Sequence, residues 1–265
     1  GAGNLSTAAT LSTNGNLALK AGGSLAVGPQ QVSALGGATM SAGQDATVAG
    51  TLAAASVSVS AMHDISVTGS VQSDTTLAAS AGNALTIGGA ASVKGDTALS
   101  AGSDLTLNGT IVGQGSGVLK AGGEIDVAGS AGFAKDAAVT SGGDTNIKGA
   151  LLGANVAVTA GNSATINDLQ AAGALSVRAN GVAGGGDITM AGHGSSIGAT
   201  TLTAAHDIAV NGAFAAADAL RLTAQHNVTI AGWRQNPGTS QELPIQAHGP
   251  YVSKGTFAEG AELSI

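Results

Sequence analysis

The chain has 265 residues, 43 of them Gly, and only 9% charged side chains, against about 25% in an ordinary soluble domain. Its net charge is −7, and the nine Lys and Arg are scattered, so no basic stripe is present to hold nucleic acid. Lack of Cys excludes a disulfide scaffold, a thiolate zinc site and a thiol nucleophile, and no apolar run reaches the ~20 residues of a membrane-spanning helix.

In chain order, an Ala-Gly step at Ala2 opens a register that recurs at Ala21, Ala42, Ala61, Ala81, Ala101, Ala121, Ser141, Ala160, Ala179, Ala204 and Ala224, and more loosely at Glu259. Apart from the steps after Ala179 and Ala224, these anchors lie 19 to 21 residues apart. Such a period marks a repeat array. Apolar and then polar residues precede the anchor, as in Leu19-Lys20, Val59-Ser60, Leu99-Ser100 and Val177-Arg178. Four and six positions beyond it stand apolar pairs: Leu25 and Val27, Ile65 and Val67, Leu85 and Ile87, Leu105 and Leu107, Ile125 and Val127. Ala26, Ser66, Thr86, Thr106 and Asp126 separate them. This alternation is that of a strand with one buried face. Gly follows at position eight (Gly50, Gly69, Gly89, Gly109, Gly129), where it is expected to permit the backbone conformation of a sharp corner. A third apolar position lies at ten: Leu52, Val71, Ile111, Leu151 and Phe214.

Each repeat therefore holds three short strands, which bury a core only when coil stacks on coil. The predicted fold is an all-β parallel β-helix, a solenoid of about 12 coils with three short strands per coil of ~20 residues. At the strand spacing of ~4.8 Å it is roughly 58 Å long. A narrow core of Leu, Val, Ile and Ala fits the near absence of aromatic residues. The repeats are expected over residues 1–232. The long step after Ala179 predicts a surface loop around Val182 to Gly186. The longer step after Ala224 holds Trp233, Tyr251, Pro237, Pro244 and Pro250, and predicts an extruded Pro/aromatic loop over 233–254. Glu262-Leu263-Ser264-Ile265 copies Glu124-Ile125-Asp126-Val127, so 255–265 reads as the start of a further coil. Trp233, Arg234 and Tyr251 are the candidate recognition residues of that loop. The alternative is that the loop packs on its own shaft or joins two repeat blocks.

Acidic residues recur three positions after the anchor: Asp45, Asp64, Asp104, Glu124, Asp144, Asp187 and Asp207. A calcium ladder and simple turn chemistry compete here. The calcium-binding β-roll has a nine-residue period, so backbone hydrogen bonding by the carboxylates is the expected role. His63, His206 and His226 stand two after an anchor. His206 and His226 fall in adjacent coils and could stack, and with Asp207 they are candidate metal ligands, but no third strong ligand is evident from spacing. No metal and no cofactor is assigned. A serine-nucleophile elbow, a phosphate loop and a metalloprotease helix are all missing, so no catalytic residue is assigned and the chain is not expected to be an enzyme.

The run from Leu17 to Val27, Leu-x-Leu-x-Ala-Gly-Gly-x-Leu-x-Val, resembles the repeats of filamentous haemagglutinin, an exoprotein of bacterial two-partner secretion. Nearly the whole chain carries the resemblance. It implies a right-handed β-helix, export with the help of an outer-membrane transporter partner, and a secreted or cell-surface location without membrane insertion. It also implies a parent that is an adhesin or the shaft of a contact-dependent growth-inhibition toxin, meeting a receptor or glycan on a host or neighbouring cell. The family's secretion domain carries Asn-Pro-Asn, which Asn236-Pro237-Gly238 does not match. The chain therefore reads as a structural shaft segment cut from a longer fibre. A receptor-binding module acting through the loop near Trp233 is the alternative.

Overall fold

The computed structural model describes residues 3–230, 243–247 and 263–264. Every regular element among them is a β-strand. The fold is a parallel β-solenoid of about 11 turns with coils of about 20 residues, and the chain divides into two compact units, residues 1–135 and 136–265.

In the first unit, the pairs at positions four and six form one face of short strands, among them Leu25–Val27, Ile65–Val67, Leu85–Ile87, Leu105–Leu107 and Ile125–Val127. Each pairs in parallel with its counterpart one coil on, as in Ile65↔Leu85↔Leu105↔Ile125. Position ten opens a second face: Val71–Ser73, Ala91–Val93 and Thr110–Gly113. The third face holds the strands that end on the anchor: Leu77–Ala81, Thr97–Ala101 and Gly117–Ala121. Their register is like on like, Ala79↔Leu99↔Leu119 and Ala81↔Ala101↔Ala121. The period-two alternation sends one set of side chains inward. Leu85, Leu105, Ile111, Leu119 and Ile125 are 0% exposed, and burying a side chain of this size contributes about 1.5–3 kcal/mol. The alternate residues of the third face, such as Ala78 and Ala98, are exposed, and those of the first face, Thr86, Thr106 and Asp126, are half-buried.

The second unit repeats the scheme. Its third face runs Ala137–Ser141, Val156–Ala160, Leu175–Ala179, Thr200–Ala204 and Leu220–Ala224, again anchor on anchor. Two kinds of corner occur. Most interrupt the strand. In Val32–Ala42 and Thr145–Gly153 the strand runs through the corner, with a register shift between Ala34 and Gly37 and between Ile147 and Ala150. Such an irregularity bends a strand without ending its ladder.

The corner glycines have a different cause from the one expected. Gly69, Gly89, Gly109 and Gly129 do not have positive φ; among the described residues only Gly181, Gly184 and Gly186 do, at 70°, 85° and 104°. What requires glycine is the coil beneath. A Cβ on Gly69, Gly89, Gly109 or Gly129 would overlap the carbonyl oxygen of the corner glycine one coil earlier. The three positive-φ glycines lie in the insertion expected around Val182, where Gly184 N–H donates to the Gly181 carbonyl at 3.1 Å and Val182 is exposed. The ladder recovers at Ile188–Met190, paired with Ala164, Thr165 and Ile166.

The core also admits two aromatic rings. Phe133 and Phe214 are 5% and 2% exposed. Each sits over a glycine in the coil before it, Gly113↔Phe133 and Gly194↔Phe214. A Cβ on Gly117 or Gly194 would overlap the ring of Phe133 or Phe214, so missing side chains in one coil make room for large ones in the next.

Beyond Ala224 the structure departs from the expected loop over 233–254. Leu243–Ala247 is a strand inside that stretch, paired in parallel as Leu222↔Ile245, Thr223↔Gln246 and Ala224↔Ala247. The anchor thus recurs at Ala247, not first at Glu259, which lies outside the described residues. Leu263 pairs with Leu243, so its partner is a strand of the third face and not the first-face position that its likeness to Ile125 suggested. Trp233, Arg234 and Tyr251 lie outside the described residues.

Two outcomes follow from the register and the ring packing. Leu99→Asp is expected to lower stability by several kcal/mol through an unpaired buried charge, whereas Ala98→Asp, the same change one residue earlier, stays within about 0.5 kcal/mol; denaturant melts that shift equally would refute the assigned faces. Gly117→Ala is expected to cost about 1–3 kcal/mol by overpacking. Phe133→Leu in the same chain should recover part of that loss, and a double-mutant cycle showing strict additivity would contradict the contact.

Candidate functional site

The acidic residues stand at the corner between the third and first faces, where the chain leaves one ladder and has not entered the next. The carboxylates of Asp45, Asp64, Asp104, Asp144, Asp187 and Asp207 each accept a hydrogen bond from the backbone N–H of the equivalent residue one coil on. Asp64 Oδ1 accepts from Ala84 N–H at 3.0 Å, Asp104 from Glu124 at 2.8 Å, Asp144 from Ser163 at 2.9 Å and Asp207 from Asn227 at 2.8 Å. Asn83, Asn162 and Asn227 side-chain amides donate to the same oxygens of Asp64, Asp144 and Asp207. The corner between the second and third faces uses the same device: Asp96 accepts from Ser116 N–H at 2.8 Å and Asn155 from Ala174 N–H at 2.8 Å. Asn4 does so at the first corner, taking Ser24 N–H at 2.9 Å. Since Asn and Asp alternate in this role, the corner needs an acceptor oxygen and not a negative charge. The partners are a whole coil away, so the carboxylates act between turns and not within their own.

One part of this corner brings together the three residues that the spacing marked as candidate ligands, and adds Asp187 to them. His206 and His226 stand in successive coils, with His226 N–H donating to the His206 carbonyl at 3.0 Å. Their ring centroids are 4.1 Å apart with the planes at 53°. His206 Nδ1 is 2.9 Å from Asp187 Oδ1 and 3.4 Å from Asp207 Oδ2. His206, Asp207 and His226 each offer a ligand atom within 4.8 Å of the others. His63 has no such company: its Nδ1 lies 3.9 Å from Asp45 Oδ1, and the backbone bonds place Gln44 and Asn83 in the coils on either side.

An open groove of about 300 Å³ runs across the second face of the first unit, lined by Ser12, Ser33, Ala53, Gln72 and Asp74. Asp74 is its one ionisable group, and it pairs with Lys94 Nζ at 2.7 Å. The groove gathers no acid–base pair and no nucleophile with a base beside it. Among the described residues, no helix is long and apolar enough to cross a membrane. No protein-family model, curated protein or solved structure matches the chain.

If the corner carboxylates serve as backbone acceptors, Asp104→Asn should be close to silent, since an amide oxygen accepts the same bond. Asp104→Ala should cost about 1 kcal/mol or less, the worth of one exposed hydrogen bond. Millimolar calcium should leave Tm unchanged, because the ladder oxygens are already engaged. A rise of many degrees on adding calcium would show that the ladder binds it.

Proposed function

We propose that this chain is a structural shaft segment of a secreted bacterial surface fibre of the filamentous-haemagglutinin type, spacing adhesive or toxic modules from the cell that makes it. The observation that carries this reading is like-on-like stacking with short corners. Ala81, Ala101 and Ala121 share one register, as do Leu85, Leu105 and Ile125. A fold built this way gains length by adding coils, each contacting only its neighbours. Outward positions such as Ala78, Ala98 and Ser92 are small and exposed, which suits a spacer and gives a substrate little to hold. The groove beside Asp74 lacks the convergent polar groups of an active site, in keeping with a non-enzymatic role.

The resemblance carried by Leu17 to Val27 supplies the rest of the proposal: export with an outer-membrane transporter partner, and display or release at the bacterial surface. A receptor or glycan on another cell would be met by the parent protein. The competing reading places a receptor-binding surface at Trp233, Arg234 and Tyr251.

Removing one whole coil tests the shaft reading. Deleting residues 82–101 joins Ala81 to Gly102, two positions already in equivalent register through Ala81↔Ala101. The shortened chain is expected to fold with Tm within a few degrees of the parent, as a repeat array does when an internal repeat is lost. Neither chain should bind epithelial or bacterial cells above background in a flow-cytometry assay. Saturable binding by the intact chain that a Trp233→Ala/Arg234→Ala/Tyr251→Ala variant loses would replace the shaft by the receptor-binding reading.

A further inference from the structure

We propose that His206, Asp207 and His226 form a binding site for a divalent transition-metal ion, with zinc as the ion that fits it. The repeat spacing puts His206 and His226 in adjacent coils, and the stacking of those coils brings both imidazoles and Asp207 together. Their ligand atoms lie within 4.8 Å of one another. A tetrahedral zinc with bonds of ~2.0–2.1 Å holds such donors about 3.4 Å apart. His226 is exposed and Asp207 and His206 are half-buried, so binding requires the side chains to draw in to that distance.

The other two ligands are already oriented by bonds they make to their surroundings. Asp207 Oδ1 accepts from Asn227 N–H at 2.8 Å and from Asn227 Nδ2 at 3.0 Å. Its Oδ2 is left on the side of His206, 3.4 Å from that residue's Nδ1. His206 Nδ1 is 2.9 Å from Asp187 Oδ1. The same nitrogen thus faces two carboxylates, Asp187 and Asp207, and a bound ion would take the place of its proton. Asp187 lies on the same side of the ring, and water completes the coordination. Two imidazole nitrogens and one carboxylate suit zinc, nickel or copper; calcium and magnesium prefer all-oxygen shells. The ion would tie the coil of His206 to the coil of His226. His63 provides the internal contrast, since Gln44 and Asn83 flank it in place of a second imidazole.

The test uses the full chain and zinc chloride. Calorimetric titration is expected to give one saturable site per chain, and excess zinc should raise Tm by about 3 °C or more. Cobalt(II) in place of zinc should produce the intense visible bands of a tetrahedral site. His206→Ala and His226→Ala should each weaken binding about tenfold or more, and His63→Ala should leave it unchanged. Should either variant fold poorly by circular dichroism, imidazole NMR signals of the unaltered chain decide: zinc should shift two histidines and spare His63 and His193. Absence of saturable binding would overturn the proposal. So would binding that survives the His206→Ala/His226→Ala double substitution, or zinc-induced shifts at other histidines.

Discussion

Everything in this fold depends on the backbone bond from one coil to the next. Leu85 N–H donates to the Asp104 carbonyl at 2.9 Å, and Leu105 N–H to Glu124 at 2.9 Å. These bonds hold successive coils at the strand spacing of ~4.8 Å, so every residue lies almost directly upon its counterpart. The side chain above and the side chain below become its principal neighbours. Leucine stacks on leucine, alanine on alanine, and a corner glycine on a corner glycine. The core is a column of small contacts, and no single residue organises it.

The same spacing explains the two polar devices. Corner N–H groups that cannot enter a strand ladder would be left unsatisfied, which is costly wherever water is shut out. A side-chain oxygen one coil earlier meets them, and Asn4, Asp64, Asp104 and Asn155 all do so. Inside the column, buried hydroxyls bond each other: Ser141 Oγ to Thr145 Oγ1 at 2.7 Å, and Ser196 Oγ to Thr200 Oγ1. Both pairs close a corner, one between the third and first faces and one between the second and third. At these two corners a second hydroxyl four residues away satisfies the buried one, whereas the buried Ser73 hydroxyl donates to the Thr76 carbonyl at 2.7 Å.

Much of the architecture was legible in the sequence because period and alternation are strictly local signals. The anchors from Ala21 to Ala224 and the apolar positions at four, six and ten mark strands that the structure contains. What was not legible depends on which residues meet between coils. The pairing of Phe133 with Gly113 and Gly117 requires knowing which coil lies on which. So does the approach of Asp187 to His206, nineteen positions apart in the sequence. The strand Leu243–Ala247 escaped notice because Pro244 reads as a breaker, although Leu243-Pro244-Ile245-Gln246-Ala247 keeps the apolar spacing before an anchor. The positions of the corner glycines are legible in the sequence, but their cause is not, because it lies in the neighbouring carbonyl and not in φ.

That last feature has a direction. The Cβ that Gly89 lacks would strike the oxygen of Gly69, and the one that Gly109 lacks would strike the oxygen of Gly89. In each case the obstruction lies on the amino-terminal side. A corner residue is therefore selected by its predecessor and places its own demand on its successor. The constraint points one way along the chain, and it comes from the backbone carbonyl of the preceding coil, whether that residue is glycine or, as beneath Gly50, Gln30. Relaxing it at one corner frees only the coil that follows, so tolerance of side chains at this position is a polar property of the array, although the array's backbone pairing looks the same from either end.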